Sequence, residues 1–181
     1  ATALALIGSP AAQDGLIAYY KTETDSRFHE PYLQPLTMAI DYAHLPAFDE
    51  LVKGAEGRVG EKLKDEKIKA YLGVLRTCKD DAACYLAKLN DGSKDEVVKV
   101  AVLLARGQIG SREAVVAALL KRFNAAPASD IDVRRFCLVA LTRLGDSATG
   151  KDLVKLAANL PANDGFWPDE LRTAGYYLQT R

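Results

Sequence analysis

The chain has 181 residues, 49% of them hydrophobic, and its 24 lysines and arginines balance its 24 aspartates and glutamates. This length and composition suffice for a buried core in one domain or in one continuous array of repeats. Nucleic-acid-binding proteins usually carry a basic excess that neutralises phosphates, so the zero net charge argues against that class. The longest apolar run, residues 97–105, is interrupted by Lys99 and is shorter than the roughly 20 residues that span a bilayer.

The sequence begins ATALALIGSP without an initiator methionine, and its one methionine is Met38. ATALALI is too short for a secretory signal peptide and lacks the basic flank of one. We therefore expect the chain to be a truncated or processed piece of a longer polypeptide, with any targeting segment upstream of Ala1.

An internal repeat with a period of about 35 residues organises the chain. Residues 98–111, VKVAVLLARGQIGS, align with residues 133–146, VRRFCLVALTRLGD, so that Gly110 lies on Gly145. At such turns glycine allows the left-handed backbone that often ends a helix. The same register predicts that Ala1 lies within the first helix of the first repeat. The predicted turn positions are Gly8, Ala43, Cys78, Gly110 and Gly145.

The residue pattern of each repeat unit predicts two helices and no strand. In residues 96–109 the apolar residues recur at helical spacing over a length too great for a strand. After the turn, Ser, Asp or Pro caps the second helix. Second helices are predicted over 11–21, 46–53, 81–89, 112–123 and 149–160. Looser connections are predicted over 22–31, 56–66, 90–95, 124–132 and 161–169, and Trp167 in the last is expected to pack against the last helical pair.

This pattern resembles the HEAT-repeat family, in which helical pairs stack into a curved solenoid. The residues that carry the resemblance are Asp132-Val133-Arg134, Ala140, Leu144-Gly145-Asp146 and Leu153, and Leu171-Arg172 repeat the start of this motif. The resemblance implies an all-α fold, a right-handed α-solenoid of about five helix-turn-helix HEAT-like repeats in a single domain over 1–181. The expected units are 1–24, 28–57, 61–91, 94–126 and 129–162, followed by a terminal helix over 168–181.

The resemblance also implies a function, the binding of a protein or peptide partner along one face without catalysis. Second helices commonly line the concave side in this family, so we expect their outward-facing residues to form the binding surface. These residues mix charges with tyrosines, which offer contact area and a hydroxyl group; the alternative is that they are ordinary solvated positions. The candidates are Asp14, Tyr19, Tyr20, Lys21, Asp49, Lys53, Tyr85, Lys88, Arg112, Lys121 and Lys155.

The alternative function is an enzyme or lyase built on the same solenoid, with a site near His29-Glu30. This pair is similar to the His-Glu pairs of HEAT-type iron hydroxylases, but those proteins need several such pairs around a di-iron centre and this chain has one. His44 lies at a turn and is interpreted as a helix-terminal residue favoured by the helix dipole. Phosphate-loop and nucleophile-elbow motifs are absent. We predict no catalytic residue, metal or cofactor, because metal coordination needs three or four converging ligands.

The chain has three cysteines. Cys137 aligns with an apolar repeat position and is expected to be a buried small hydrophobic residue. Cys78 falls at a turn and Cys84 one turn into the next helix, so the two Cα atoms could approach within the roughly 7 Å that a disulfide tolerates. We favour a disulfide over reduced structural thiols, with metal or redox chemistry last. A disulfide would imply an extracytoplasmic compartment, periplasmic or secreted; otherwise a cytoplasmic protein is expected.

Overall fold

The computed structural model describes residues 8–161 and 163–181, and within them the chain forms eleven helices and no strand. The predicted all-α class is therefore confirmed for the described part of the chain. The predicted first helix of the first repeat falls on residues 1–7, outside the described residues. The helices are α1 (Pro10–Thr22), α2 (Ser26–Ala39), α3 (Leu45–Leu51), α4 (Gly57–Leu63), α5 (Glu66–Cys78), α6 (Ala82–Asp91), α7 (Lys94–Leu104), α8 (Arg112–Ala125), α9 (Ile131–Leu144), α10 (Ser147–Asn159) and α11 (Trp167–Thr180).

The five predicted second helices correspond to α1, α3, α6, α8 and α10, with ends within two residues of those predicted. Polar residues after the turns cap them as expected. The side chains of Ser9, Ser111 and Asp146 each accept a hydrogen bond from the backbone N–H three residues further on. These bonds satisfy amide groups that have no partner within the helix, which fixes where each helix begins.

The turn glycines serve two different purposes. Gly8 and Gly110 have φ values of 62° and 74°, the left-handed backbone that glycine adopts without strain. Gly145 has a φ of −66°, so the left-handed explanation is wrong at this position. A Cβ at Gly145 would lie 2.8 Å from the Leu178 side chain and 2.6 Å from the carbonyl oxygen of Leu141, so glycine provides space there.

Two of the predicted connections are wrong. Residues 22–31 include the start of α2, where Asp25 caps the helix by accepting from the Arg27 backbone N–H. The polar residues there conceal where this helix begins, although its later turns bury Leu33 and Leu36. Residues 56–66 include α4, which buries none of its side chains and so shows no apolar stripe in the sequence.

The chain divides into two compact units, Ala1–Lys88 and Leu89–Arg181. In the first, α2 packs against α1, α4 and α5, and α1 packs against α3. In the second, α9 packs against α7, α8 and α11, while α11 makes its most extensive contact with α10. The predicted single domain over 1–181 stays a prediction. No helix among the described residues has the length and apolar character needed to cross a membrane.

The contact between α10 and α11 depends on two glycines. A Cβ at Gly150 would lie 2.5 Å from the carbonyl oxygen of Gly175, and a Cβ at Gly175 would lie 2.7 Å from that of Gly150. Real Cβ atoms do not approach other atoms so closely. The two helix backbones therefore touch at a point where neither helix can carry a side chain.

A buried cation occurs at the same position of the two aligned repeats. Lys99 in α7 is fully buried, and Arg134 in α9 is 4% exposed. The Arg134 guanidinium bonds to the Asp164 carboxylate at 2.8 Å, and its Nε donates to the carbonyl oxygen of Ala126. Cys137, in the same helix, is buried as predicted, and this burial raises the pKa of its thiol to about 12. The aligned repeats thus have matching buried positions.

Candidate functional site

A groove runs between α9 and α11 in the second unit, here called the α9–α11 groove. Its volume of about 490 Å³ lies within the range typical of ligand-binding clefts. Both walls are built from helix residues at spacing i, i+3, i+4 and i+7, which places each set on one face of its helix. The lining residues are Arg135, Leu138, Val139 and Thr142 of α9, Glu170, Thr173, Ala174 and Tyr177 of α11, and Phe166 and Trp167 at the start of α11.

Trp167 fixes one end of the groove. Its side chain is buried, its indole Nε1 donates to the carbonyl oxygen of Ala128 at 3.1 Å, and its ring meets the ring of Phe123 edge to face at 5.5 Å. Trp167 therefore begins α11 rather than lying in a connection as predicted. Its ring packs on α8 and faces the Arg134 guanidinium of α9 at 5.7 Å, so the expected contact with the last helical pair is present. Phe166 precedes it with a ring centroid 4.7 Å away and remains 51% exposed. A buried, hydrogen-bonded indole thus supports an exposed phenyl ring.

The middle and far end of the groove differ in chemistry. Leu138 and Ala174 are buried and form an apolar floor. At the far end Tyr177 of α11 is 55% exposed, and Thr142 lines the α9 wall. The groove thus has an exposed aromatic ring at each end of an apolar floor, and aromatic residues are enriched at protein interfaces.

Two opposite charges flank the groove near Phe166. Arg135 on the α9 wall has its guanidinium 3.6 Å from the Asp132 carboxylate. Glu170 on the α11 wall forms no ion pair with any cation in the described ranges 8–161 and 163–181. The charge at this end that lacks a counterpart is therefore the carboxylate of Glu170.

Two of the predicted binding residues are buried, so the prediction that they face outward is wrong. Tyr20 is 7% exposed because its ring stacks on His29 at 4.6 Å, and burial raises the pKa of its phenol. Tyr85 is 2% exposed, and its hydroxyl donates to the carbonyl oxygen of Lys79 at 2.7 Å. Both tyrosines belong to the core of the first unit.

Other predicted residues form ion pairs or aromatic contacts at the surface. Asp49 accepts from Arg76 at 2.6 Å. The Tyr19 ring stacks on Tyr32, and the hydrogen bond that its hydroxyl donates to Glu23 raises the pKa of Tyr19. The remaining contacts join Lys53 to Glu50 at 3.3 Å, Arg112 to Asp146 at 3.1 Å and Asp14 to His44 at 3.4 Å.

The remaining candidates do not form one face in the second unit. Arg112 and Lys121 are nine residues apart on α8, which places them about 180° apart around the helix. Lys155 lies on α10, and all three are exposed. In the first unit Lys21 is exposed and Lys88 is half-buried. A binding role for these residues stays a prediction.

The histidines have local structural contacts. His29 Nε2 lies 3.0 Å from the carbonyl oxygen of Glu23, while Glu30 lines a separate open depression with Arg58, Lys62 and three other charged residues. In the part of the chain that the structure describes, no three His, Cys, Asp or Glu side chains are grouped to hold a metal ion. The alternative of an enzyme with a site near His29-Glu30 stays a prediction.

His44 precedes α3 at its N-terminal end, where the helix dipole disfavours a cation, so the dipole interpretation is wrong. Its Nδ1 lies 2.6 Å from Asp41 Oδ1 instead. Burial raises the pKa of Asp41, but hydrogen bonds from His44 and Gln13 outweigh this effect and hold that pKa below its ordinary value. This network joins α1 to the turn before α3.

Cys78 and Cys84 are joined at disulfide distance, with 1.99 Å between their sulfur atoms and 5.3 Å between their Cα atoms. This is the pairing favoured from the sequence. The pair closes the turn between α5 and α6, in which Lys79 has a φ of 52°. The turn therefore carries a covalent link beside a residue in a backbone conformation that normally requires glycine.

Comparison of the chain with protein-family models, with curated proteins and with solved structures gave no match in any of the three. The α9–α11 groove is therefore the feature from which a function can be proposed. Sequence reasoning missed its residues because it placed the binding surface on second helices, whereas α9 and α11 correspond to first helices. One signal was available: Tyr176 and Tyr177 are adjacent and so point about 100° apart on a helix, which makes it difficult to bury both.

Proposed function

We propose that this protein is a non-enzymatic protein- or peptide-binding module built as a HEAT-like α-solenoid, and that the α9–α11 groove receives its partner. The packing within each unit supports the solenoid. Helices in the first position of successive repeats lie side by side, α2 with α5 in the first unit, and α7 with α9 and α9 with α11 in the second. Such neighbour stacking is how repeat arrays bury the apolar faces that one helical pair cannot cover.

The observation that carries the binding function is the exposure of Phe166 and Tyr177 at the two ends of an apolar floor. Fully burying a large apolar side chain contributes about 1.5–3 kcal/mol, so covering the exposed half of each ring would contribute about 1 kcal/mol. A partner that also covers Leu138 and Ala174 would add to this. Aromatic residues commonly account for much of the binding free energy of an interface.

Selection of peptides from a displayed random library, followed by anisotropy titration, tests this proposal. Selected peptides are expected to bind Phe166→Asp at least about tenfold more weakly than wild type, because a carboxylate replaces a ring at the groove. Phe28→Asp is the matched control, because Phe28 is equally exposed at 52% but lies on α2 in the first unit. Its expected affinity equals that of wild type.

If the selected peptides bind wild type and Phe166→Asp equally, the partner does not use this groove and the proposal is wrong. Equal losses in Phe166→Asp and Phe28→Asp would also contradict it, because they would indicate general adhesion to exposed aromatic residues. Circular dichroism of both variants checks that the helices are retained.

A further inference from the structure

We propose that the α9–α11 groove takes an amphipathic α-helix of the partner, with apolar side chains along one line and a basic residue facing Glu170. This inference rests on the proposed binding function and adds the conformation and the charge of the bound segment. Three properties of the groove support it. These are its dimensions, the hydrogen bonding of the backbone in its walls, and the carboxylate of Glu170, which has no ion pair among the described residues.

The dimensions of the groove favour a single row of side chains. Phe166 and Tyr177 are eleven residues apart, which corresponds to about 16 Å along a helix axis. A volume of about 490 Å³ over that length gives a mean cross-section of about 30 Å². A helix with its side chains is about 10–12 Å in diameter, so a docked helix would lie along the groove and insert side chains into it.

The walls of the groove favour a helical partner over an extended one. Both walls are the middle turns of helices, whose backbone N–H and C=O groups are already bonded within the helix. The walls therefore offer no backbone hydrogen-bond partners to the N–H and C=O groups of an extended peptide. A helix satisfies its backbone internally and presents side chains at i, i+4, i+7 and i+11 in one line, which matches the length of the groove.

The third property of the groove is the negative charge of Glu170, which predicts a positive charge on the partner. Glu170 lies on the wall near Phe166 without an ion pair among the described residues, whereas Arg135 across the groove has Asp132. A lysine or arginine on the partner helix at this end would complement the carboxylate. A charge pair at the rim of an interface sets orientation and specificity more than total affinity.

Three synthetic labelled peptides test the inference by anisotropy titration. The first has leucines at i, i+4, i+7 and i+11 on an alanine and glutamine background, with one lysine beside the first leucine. The second has glutamate in place of that lysine, and the third keeps the lysine but has proline at its centre. Wild type is expected to bind the lysine peptide about fivefold more tightly than the glutamate peptide. The proline peptide is expected to bind at least about tenfold more weakly than the lysine peptide, because proline breaks the helix.

A charge reversal in the protein completes the test. Glu170→Lys is expected to reverse the preference between the two charged peptides. Glu113→Lys, the same change at an exposed residue of α8 outside the groove lining, is expected to leave it unchanged. If both variants shift the preference equally, or neither does, the role of Glu170 is overturned.

If the proline peptide binds as tightly as the lysine peptide, the helical conformation is overturned. Should no designed helix bind while library peptides still depend on Phe166, this inference fails and the proposed function stands. If library peptides are indifferent to Phe166, the proposed function itself fails.

Discussion

Gly175→Ala is expected to destabilise the second unit by about 2 kcal/mol. The new Cβ would lie 2.7 Å from both the carbonyl oxygen of Gly150 and the side chain of Val154, whereas ordinary contacts begin at 3.4 Å. The backbone oxygen cannot rotate away, so α10 and α11 must separate by about 0.7 Å. Overpacking a protein interior costs about 1–3 kcal/mol. We expect a cost near the upper end of this range, because the new Cβ clashes with a backbone oxygen and not only with a movable side chain. The better helix propensity of alanine offsets about 1 kcal/mol of this cost, which leaves a net loss of about 2 kcal/mol.

Urea denaturation followed by tryptophan fluorescence measures this effect, because Trp167 is the one tryptophan of the chain and is buried at the start of α11. Gly73→Ala is the matched control. Gly73 lies within α5, and a Cβ there would meet no atom within 4 Å. Alanine at this position is expected to stabilise the first unit by up to about 1 kcal/mol, measured by circular dichroism. If Gly175→Ala is as stable as wild type, the close contact between α10 and α11 is refuted.

Three further predictions concern the turn and the buried ion pair. Lys79→Gly is expected to raise the free energy of unfolding by about 1 kcal/mol, because glycine relieves a φ of 52°; no gain in urea denaturation would contradict this. Asp164→Ala is expected to cost about 3 kcal/mol because it leaves the buried Arg134 guanidinium without its carboxylate, whereas Asp169→Ala, at an exposed pair, should cost less than about 0.5 kcal/mol. Equal costs in urea denaturation would contradict that reasoning. Reduction before thiol alkylation is expected to add two labels in intact-mass measurement, and no added label would exclude a Cys78–Cys84 disulfide.

An apolar stripe together with a polar cap predicted α8 closely. The helix predicted over 112–123 is observed as Arg112–Ala125, because Ser111 caps its start and Val115, Leu119 and Phe123 recur on its buried face. Both signals are local, so they can be read without knowing the tertiary structure. Helix α4 lacks both signals: it buries no side chain, and Glu56 at its start makes no capping hydrogen bond.

Burial of individual residues was harder to predict, because it depends on contacts made by distant parts of the chain. Tyr20 is covered by His29 from the next helix. A tyrosine has both an apolar ring and a polar hydroxyl, so its identity does not decide whether it faces water.

The register of α11 was also predicted incorrectly. The sequence alignment placed Arg172 on Arg134, yet Arg172 is exposed and pairs with Asp169. The buried positions match better at an offset of 34 residues, which places Trp167 on Val133. Tryptophan and valine look dissimilar in an alignment, although both fill the same buried position at the start of a helix.

The location of the candidate site could not be derived from the repeat pattern alone. The width of a groove between two helices depends on the side chains that hold each helix against its other neighbours. Here Trp167 packs on Phe123 and α11 lies close against α10 through Gly150 and Gly175. These contacts join residues far apart in the sequence, so the repeat pattern does not reveal them.

The most direct test of the binding function compares two adjacent tyrosines of α11. Tyr176 and Tyr177 are similarly exposed, at 57% and 55%, but only Tyr177 lines the groove. Loss of an aromatic anchor typically weakens binding by more than about tenfold, so a library-selected peptide should bind Tyr177→Ala at least about tenfold more weakly than Tyr176→Ala. Equal dissociation constants for the two variants would contradict the assignment of the α9–α11 groove as the binding site.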